Sequence, residues 1–159
     1  MRMHNMPIAG PIRVLVVDDH IAIRIGISAL IDAEWPGMYS VGAAATTGEA
    51  LQMTQEQQPH IVVLDVDLAG EDGLALIRLL HDAAPCAVVV LTSLTDPRVG
   101  RRALQLGASA CLSKTAPAAD LIGAIFAAAR RSDTQFSSGS PSSAGGAVSQ
   151  PGGTNHPCE

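Results

Sequence analysis

The chain has 159 residues, enough for one ordinary domain and little more. Hydrophobic residues make up 47% of it and aromatic residues only 3%, so the core must be built from Val, Ile, Leu and Ala, which suits a sheet covered by helices on both faces. The formal net charge of −5 argues against a binding surface for nucleic acid or for an anionic membrane.

The amino-terminal part and the cysteines indicate a compartment. A short apolar run at 14–17 ends in two aspartates, too soon for the core of a signal peptide or for a membrane span. The three cysteines, Cys86, Cys111 and Cys158, are an odd number without metal-binding spacing, which is typical of reduced thiols. We therefore expect a cytoplasmic protein that does not associate with membranes.

The first half of the chain predicts strands and helices in alternation. Strands are predicted at 13–17, 39–45 and 61–64, and the third reads IVVL, aliphatic throughout, as in a central parallel strand. The second helix is predicted at 48–57, with Thr46 or Thr47 as its N-terminal cap. In the first helix, four apolar residues fall on one stripe: Ile23, Ile27, Leu30 and Ile31.

The second half continues the alternation. Strands are predicted at 87–91 and 110–112, and the helix between them, at 97–106, has Pro97 in its first turn and Gly107 as a left-handed end. A last helix follows Pro117. The inward-facing residues of the third and last helices are predicted to be Leu74, Leu76, Ile77 and Leu80, and Leu121, Ile125 and Ala128.

Five strands alternating with five helices predict the α/β class, as a doubly wound (βα)5 fold with a five-stranded parallel sheet, over residues 12–131. Residues 1–11 are expected to form a flexible segment. Residues 132–159 contain seven Ser, five Gly and three Pro, and we expect them to be a disordered tail because they cannot bury enough apolar surface. No output domain is visible after residue 131.

Polar residues follow four of the predicted strands. Asp18 and Asp19 follow the first, Asp65 the third, Thr92 the fourth and Lys114 the fifth. Because ligands of such sheets bind beyond the carboxyl ends of the strands, we expect these side chains to meet at one edge. Three carboxylates would repel one another, and Mg²⁺ relieves this because it takes oxygen ligands and needs few protein carboxylates. The formal charges of the three carboxylates, the lysine and the metal ion sum to about zero.

Four phrases resemble the receiver domain of two-component response regulators, and the resemblance covers about residues 12–131. The phrases are VLVVDDH, VVLDVDLAGEDGLALI, VVVLTS and GASACLSK. The chain looks closest to receivers that precede a helix-turn-helix output domain. The resemblance implies a flavodoxin-like fold and a phosphorelay switch, not a conventional enzyme.

The resemblance also implies roles for individual residues. Asp65 would accept the phosphoryl group. Asp18, Asp19 and Asp65, with the backbone carbonyl of Asp67, would hold Mg²⁺, and the Asp67 side chain could lie near the phosphoryl group. Lys114 and the Thr92 hydroxyl would stabilise the phosphoryl oxygens. His20 continues the acid pair and could lie near the metal, but a loop or first-turn position without a ligand role is favoured because Mg²⁺ prefers oxygen. Gly73 matches the family's turn glycine.

Three positions depart from the family pattern. Cys111 stands where the family has Tyr or Phe, and a cysteine is too small to follow the Thr92 hydroxyl as an aromatic ring does. Thr115 replaces the proline that follows the lysine through a cis bond, so we expect a trans or a strained bond there. Ala69 replaces a loop proline. We expect intact phosphoryl chemistry, with Cys111 as a switch position that weakens signal transmission.

By resemblance, the partners are a histidine kinase or histidine phosphotransfer protein as donor, an unknown downstream protein, and a second copy in a phosphorylation-favoured homodimer. No direct DNA binding is expected. Three alternatives stay open. The first is a phosphatase of the haloacid dehalogenase type, which shares the Asp65-Val66-Asp67 pattern but needs an acidic pair after the lysine. The second is a DNA-binding regulator, which needs a basic output domain. The third is a docking module that is never phosphorylated, which would not need the aspartates, the threonine and the lysine at the strand ends.

Overall fold

The computed structural model describes residues 10–68, 70–93 and 96–138, with side chains described up to Ser132. The predicted tail from residue 139 onward, most of the amino-terminal segment and Ala69 lie outside these residues. The described elements in chain order are β1 (Ile12–Val17), α1 (Ile21–Asp32), β2 (Met38–Ala44), α2 (Thr47–Gln57), β3 (Ile61–Asp65), β4 (Asp67–Leu68), β5 (Glu71–Asp72), α3 (Gly73–Ala83), β6 (Ala87–Thr92), α4 (Pro97–Gln105), β7 (Ala110–Ser113) and α5 (Ala118–Ser138).

Five of the strands form one parallel sheet in the order β2-β1-β3-β6-β7. The two-residue strands β4 and β5 pair with each other in a short antiparallel ribbon after β3. This confirms the predicted doubly wound α/β fold with five parallel strands. The strand order reverses direction between β1 and β3, and the carboxyl ends of these two strands border the crevice in which sheets of this type bind ligands.

The core has two layers, one on each face of the sheet. Leu15 and Val17 of β1 pack with α2, α3 and α4 on one face, whereas Val14 and Val16 pack with α1 and α5 on the other. This alternation follows from the two-residue period of a strand. Strands β3 and β6 are buried along their whole length, which accounts for their continuous aliphatic sequence.

Local signals fix several helix ends as predicted. The Thr46 side chain accepts a hydrogen bond from the Glu49 N–H at the start of α2, and Gly107 has a φ of +108° after α4. The tail was predicted to begin at 132, but α5 continues to Ser138. The helix continues beyond residue 132, where the Ser-, Gly- and Pro-rich stretch begins, because the first helix-breaking residue in that stretch is Gly139. Among the residues that the structure covers, none of the helices combines the length and hydropathy needed to span a bilayer.

Candidate functional site

The polar residues predicted to meet at one edge of the sheet do so. Asp18 and Asp19 directly follow β1, Asp65 is the last residue of β3, Thr92 is the last residue of β6, and Lys114 directly follows β7. Parallel pairing puts the ends of β3, β6 and β7 side by side, because Asp65 pairs with Leu91 and Thr92 with Ser113. The topology thus gathers chain segments far apart in sequence into one pocket.

Lys114 joins two of the carboxylates. Its Nζ lies 2.9 Å from Asp65 Oδ2 and 3.0 Å from Asp18 Oδ2. The lysine side chain is only 14% exposed, and both aspartates are about 1% exposed. The Lys114 N–H donates to the Thr92 carbonyl at 2.9 Å, which fixes the lysine backbone against the end of β6.

The acid pair after β1 is held from the start of α1. The His20 N–H donates to Asp18 Oδ1 at 2.9 Å, and a guanidinium nitrogen of Arg24 donates to the Asp18 carbonyl at 2.8 Å. The imidazole Nδ1 of His20 lies 3.0 Å from Asp18 Oδ1 and 3.1 Å from Asp19 Oδ1. From its place after the acid pair, His20 was predicted to lie in a loop or first turn, with no ligand role favoured; it is the N-cap residue of α1, and its ring lies against both carboxylates.

The loop after β3 contributes a backbone donor. The Asp67 N–H donates to Asp65 Oδ1 at 3.0 Å, so each oxygen of the Asp65 carboxylate has a donor of its own. The side chain of Asp67 is exposed, and its Oδ2 accepts a hydrogen bond from the Ser93 hydroxyl at 3.4 Å.

Burial and pairing set the charges of the pocket. Burial raises the pKa of Asp65 and the nearby Asp18 charge adds to this, although the Asp67 N–H and the Lys114 ammonium oppose it. For Asp18, burial alone would raise the pKa, but the hydrogen bonds from His20 and the adjacent Lys114 ammonium outweigh it and hold the pKa below the usual range. Burial would lower the pKa of Lys114, yet the two carboxylates raise it, so the lysine stays an ammonium.

The donor set fits a divalent cation. One ligand atom from each of Asp18, Asp19, His20 and Asp65 lies within 4.8 Å of all the others. Two buried carboxylate oxygens are at ion-pair distance from a neighbour but make no well-angled hydrogen bond among the described residues: Asp19 Oδ1, 3.1 Å from His20 Nδ1, and Asp18 Oδ2, 3.0 Å from Lys114 Nζ. Buried carboxylate oxygens left in this state favour a hard cation with oxygen ligands.

Cys111, the predicted switch position, lies on β7 three residues before Lys114. Cys111 pairs in register with Val90 and is half-buried, with its Sγ facing Gly100 of α4. Burial raises the pKa of its thiol, which therefore stays protonated at neutral pH. The bond between Lys114 and Thr115 is trans, since within the described segments only the Trp35–Pro36 bond is cis.

A five-stranded doubly wound sheet with an acidic pocket and a partly buried lysine at its carboxyl edge is similar in structure to solved receiver domains, among them the response regulator domain of Thermotoga maritima CheB (TM-score 0.69, 29% identity, 75% of this chain and 96% of that chain covered). The sequence matches the response regulator receiver domain family over residues 14–126, most of the chain. The protein therefore belongs to this family.

Individual relatives agree with this assignment. The chain is 32% identical over 120 residues to the transcriptional regulatory protein LiaR of Bacillus subtilis, covering 75% of this chain and 56% of LiaR. It is 37% identical over 115 residues to the response regulator GacA of Pseudomonas viridiflava, covering 72% and 53%. A LuxR-family two-component response regulator from an Aurantimonas species has a similar solved structure, with a TM-score of 0.70, 32% identity, and 75% and 85% of the two chains covered.

The chain thus spans about half the length of the curated relatives it matches. The transcriptional role in the name of LiaR belongs to that whole protein. We predicted that this chain has no output domain and binds no DNA. The match covers only about half of each relative and does not include their remaining parts, so both statements stay predictions. The phosphatase alternative is not supported, because the matched family is the receiver family.

Proposed function

We propose that this receiver is phosphorylated on Asp65 in a Mg²⁺-dependent reaction and signals by a change of conformation. The donor is a histidine kinase or a histidine phosphotransfer protein. One observation carries the proposal: the Lys114 ammonium lies within hydrogen-bond distance of carboxylate oxygens of both Asp18 and Asp65. A structural ion pair needs only one carboxylate, whereas a partly buried lysine between two carboxylates, beside a third, suits a pocket that gains and loses negative charge.

Asp65 is the nucleophile of the proposed reaction. A carboxylate oxygen attacks the phosphorus of a phosphohistidine, the P–N bond breaks, and its electron pair leaves with the imidazole nitrogen of the donor. The Asp67 N–H holds Oδ1 while Lys114 holds Oδ2, so the carboxylate keeps a fixed orientation toward the incoming group.

Other residues stabilise the transferred group. The Lys114 ammonium neutralises charge on the phosphoryl oxygens, and the Thr92 hydroxyl donates to one of them. Asp18, Asp19 and Asp65, with the Asp67 backbone carbonyl, would hold Mg²⁺. When bound, the ion supplies further neutralisation of the phosphoryl oxygens.

The partners follow from the same proposal. The phosphorylated chain acts on a downstream protein through α4, β7 and α5, and phosphorylation favours a homodimer. We place this exchange in the cytoplasm and assign the chain no direct contact with DNA. A gel shift showing sequence-specific DNA binding by the chain would contradict that assignment.

The test is intact-mass measurement after incubation with acetyl phosphate and Mg²⁺. The wild type gains the mass of one phosphoryl group, and Asp65→Asn does not, because the amide cannot form the acyl phosphate. Asp82→Asn is the matched control, since Asp82 is an exposed aspartate of α3 outside the pocket and should leave the gain intact. An unmodified wild type, or an equal gain in Asp65→Asn, would contradict the proposal and favour the unphosphorylated docking module.

A further inference from the structure

The imidazole of His20 occupies a position that the oxygen-only metal site does not explain. His20 precedes α1 as its N-cap residue, but its side chain makes no capping hydrogen bond. Its Nδ1 instead lies 3.0 Å and 3.1 Å from oxygens of Asp18 and Asp19, two of the carboxylates assigned to the metal. The His20 side chain is otherwise 59% exposed, so packing alone does not hold the ring there.

These distances match the spacing of ligands around one small cation. For an octahedral ion with metal–ligand bonds of about 2.1 Å, adjacent ligand atoms are separated by about 3.0 Å. The Nδ1 atom stands at this separation from both carboxylate oxygens, and the four ligand atoms of Asp18, Asp19, His20 and Asp65 form one group.

We infer that His20 Nδ1 is an additional ligand of this divalent-ion site, so that the pocket takes Ni²⁺, Co²⁺ or Zn²⁺ in competition with Mg²⁺. The inference rests on the proposed metal site. Imidazole is a poor ligand for Mg²⁺, which prefers oxygen, but a good one for the later first-row ions. An added nitrogen ligand therefore raises the affinity for those ions while leaving the affinity for Mg²⁺ almost unchanged.

The same short distances would also arise if a protonated Nδ1 merely donated to the carboxylates. In that case the ring competes with every cation, and its removal strengthens the binding of all of them. The two arrangements thus predict opposite effects of removing the imidazole, and metal affinity distinguishes them.

The experiment is calorimetric titration of the full chain with Ni²⁺ and with Mg²⁺ at one fixed pH. We expect His20→Ala to weaken Ni²⁺ binding by about tenfold or more, because losing even a residue that only supports a metal ligand costs about this much affinity. The same substitution should change Mg²⁺ binding less than about threefold. The absorption bands of bound Co²⁺ should also shift in His20→Ala, because an oxygen ligand replaces a nitrogen.

Two controls separate the outcomes. Asp19→Asn should weaken both ions, because it removes an oxygen ligand. His81→Ala should weaken neither, because His81 lies near the opposite ends of the strands. Unchanged or tighter Ni²⁺ binding in His20→Ala, or an equal loss for both ions, would overturn the inference. Phosphorylation of Asp65 is measured separately by mass. If His20→Ala is still phosphorylated while the metal titrations contradict the inference, only the role of His20 as a ligand is wrong.

Discussion

Gly73 shows how closely the backbone folds around Asp65, the proposed phosphorylation site. A Cβ atom at this position would lie 2.6 Å from Val66 Cα, 2.7 Å from the Val66 carbonyl oxygen and 2.8 Å from the Asp65 carbonyl oxygen. All three are backbone atoms, which cannot move without displacing Asp65 itself. The glycine is therefore required by close approach, not by its φ angle.

Gly73→Ala should lower the free energy of unfolding by roughly 1–3 kcal/mol, because the loop after β3 must shift to admit the methyl group. Urea denaturation measures this change. Gly26→Ala is the matched control, since Gly26 is in the interior of α1 with nothing within 4 Å of the added Cβ. That variant should gain up to about 1 kcal/mol from helix propensity. Equal effects of the two substitutions would contradict the steric argument.

At the scale of elements, α4 and β7 meet through two small residues. A Cβ atom added to Gly100 of α4 would lie 3.7 Å from Cys111 Sγ and 3.9 Å from Cys111 Cβ. By resemblance to the family, position 111 would carry an aromatic ring. Here it carries a half-buried thiol, so no large side chain at this position packs against α4. We therefore expect phosphorylation at Asp65 to affect α4 less strongly than it does in a receiver with an aromatic residue at this position.

Cys111→Tyr should extend the response to a phosphoryl mimic. With Mg²⁺ and beryllofluoride, amide chemical shifts of the wild type should change mainly around Asp65, Thr92 and Lys114. In Cys111→Tyr the changes should continue into α4 and β7, because the ring can follow the Thr92 hydroxyl. Cys111→Ser, of similar size, should behave as the wild type does. A wild type whose shifts already spread through α4 as far as those of Cys111→Tyr would refute the weakened coupling.

The large elements were predictable from sequence because their patterns are long. Strands β3 and β6 were predicted to within one residue, since a run of four or five aliphatic residues bounded by polar ones is typical of a strand buried on both faces. The ribbon of β4 and β5 was missed, because two-residue strands carry no periodicity. Leu30 was placed on the inner stripe of α1 but is 40% exposed, since Ile27 and Ile31 already fill the contact with the sheet.

At the scale of the whole molecule, topology made the site predictable and side-chain geometry limited the prediction. Parallel strands end at one edge, so Asp18, Asp65 and Lys114 had to be neighbours. Which carboxylates the lysine contacts depends on rotamers, as does the proximity of His20 to the acid pair. Neither follows from the order of residues along the chain.

The other edge of the sheet carries a separate titratable group. His81, in the last turn of α3, lines a cavity with Cys86 and Ser109 near the amino ends of β6 and β7. Burial lowers the pKa of His81, and the neighbouring Asp82 partly opposes this. The folded chain thus keeps His81 neutral at a pH where the unfolded chain has begun to take up a proton.

Stability should therefore depend on pH through His81 in a defined direction. In the unfolded chain the imidazole titrates near its ordinary pKa of about 6.5, so above that value it is neutral in both states and adds nothing. As the pH falls from about 7.5 to about 5, the unfolded state binds more protons, and the free energy of unfolding of the wild type falls relative to that of His81→Gln. Chemical denaturation across this range measures the difference. In Asp82→Asn this loss of unfolding free energy at low pH should be larger, because the negative charge that favours protonated His81 is gone. If the unfolding free energies of the wild type and of His81→Gln changed in parallel with pH, His81 would not be the group responsible.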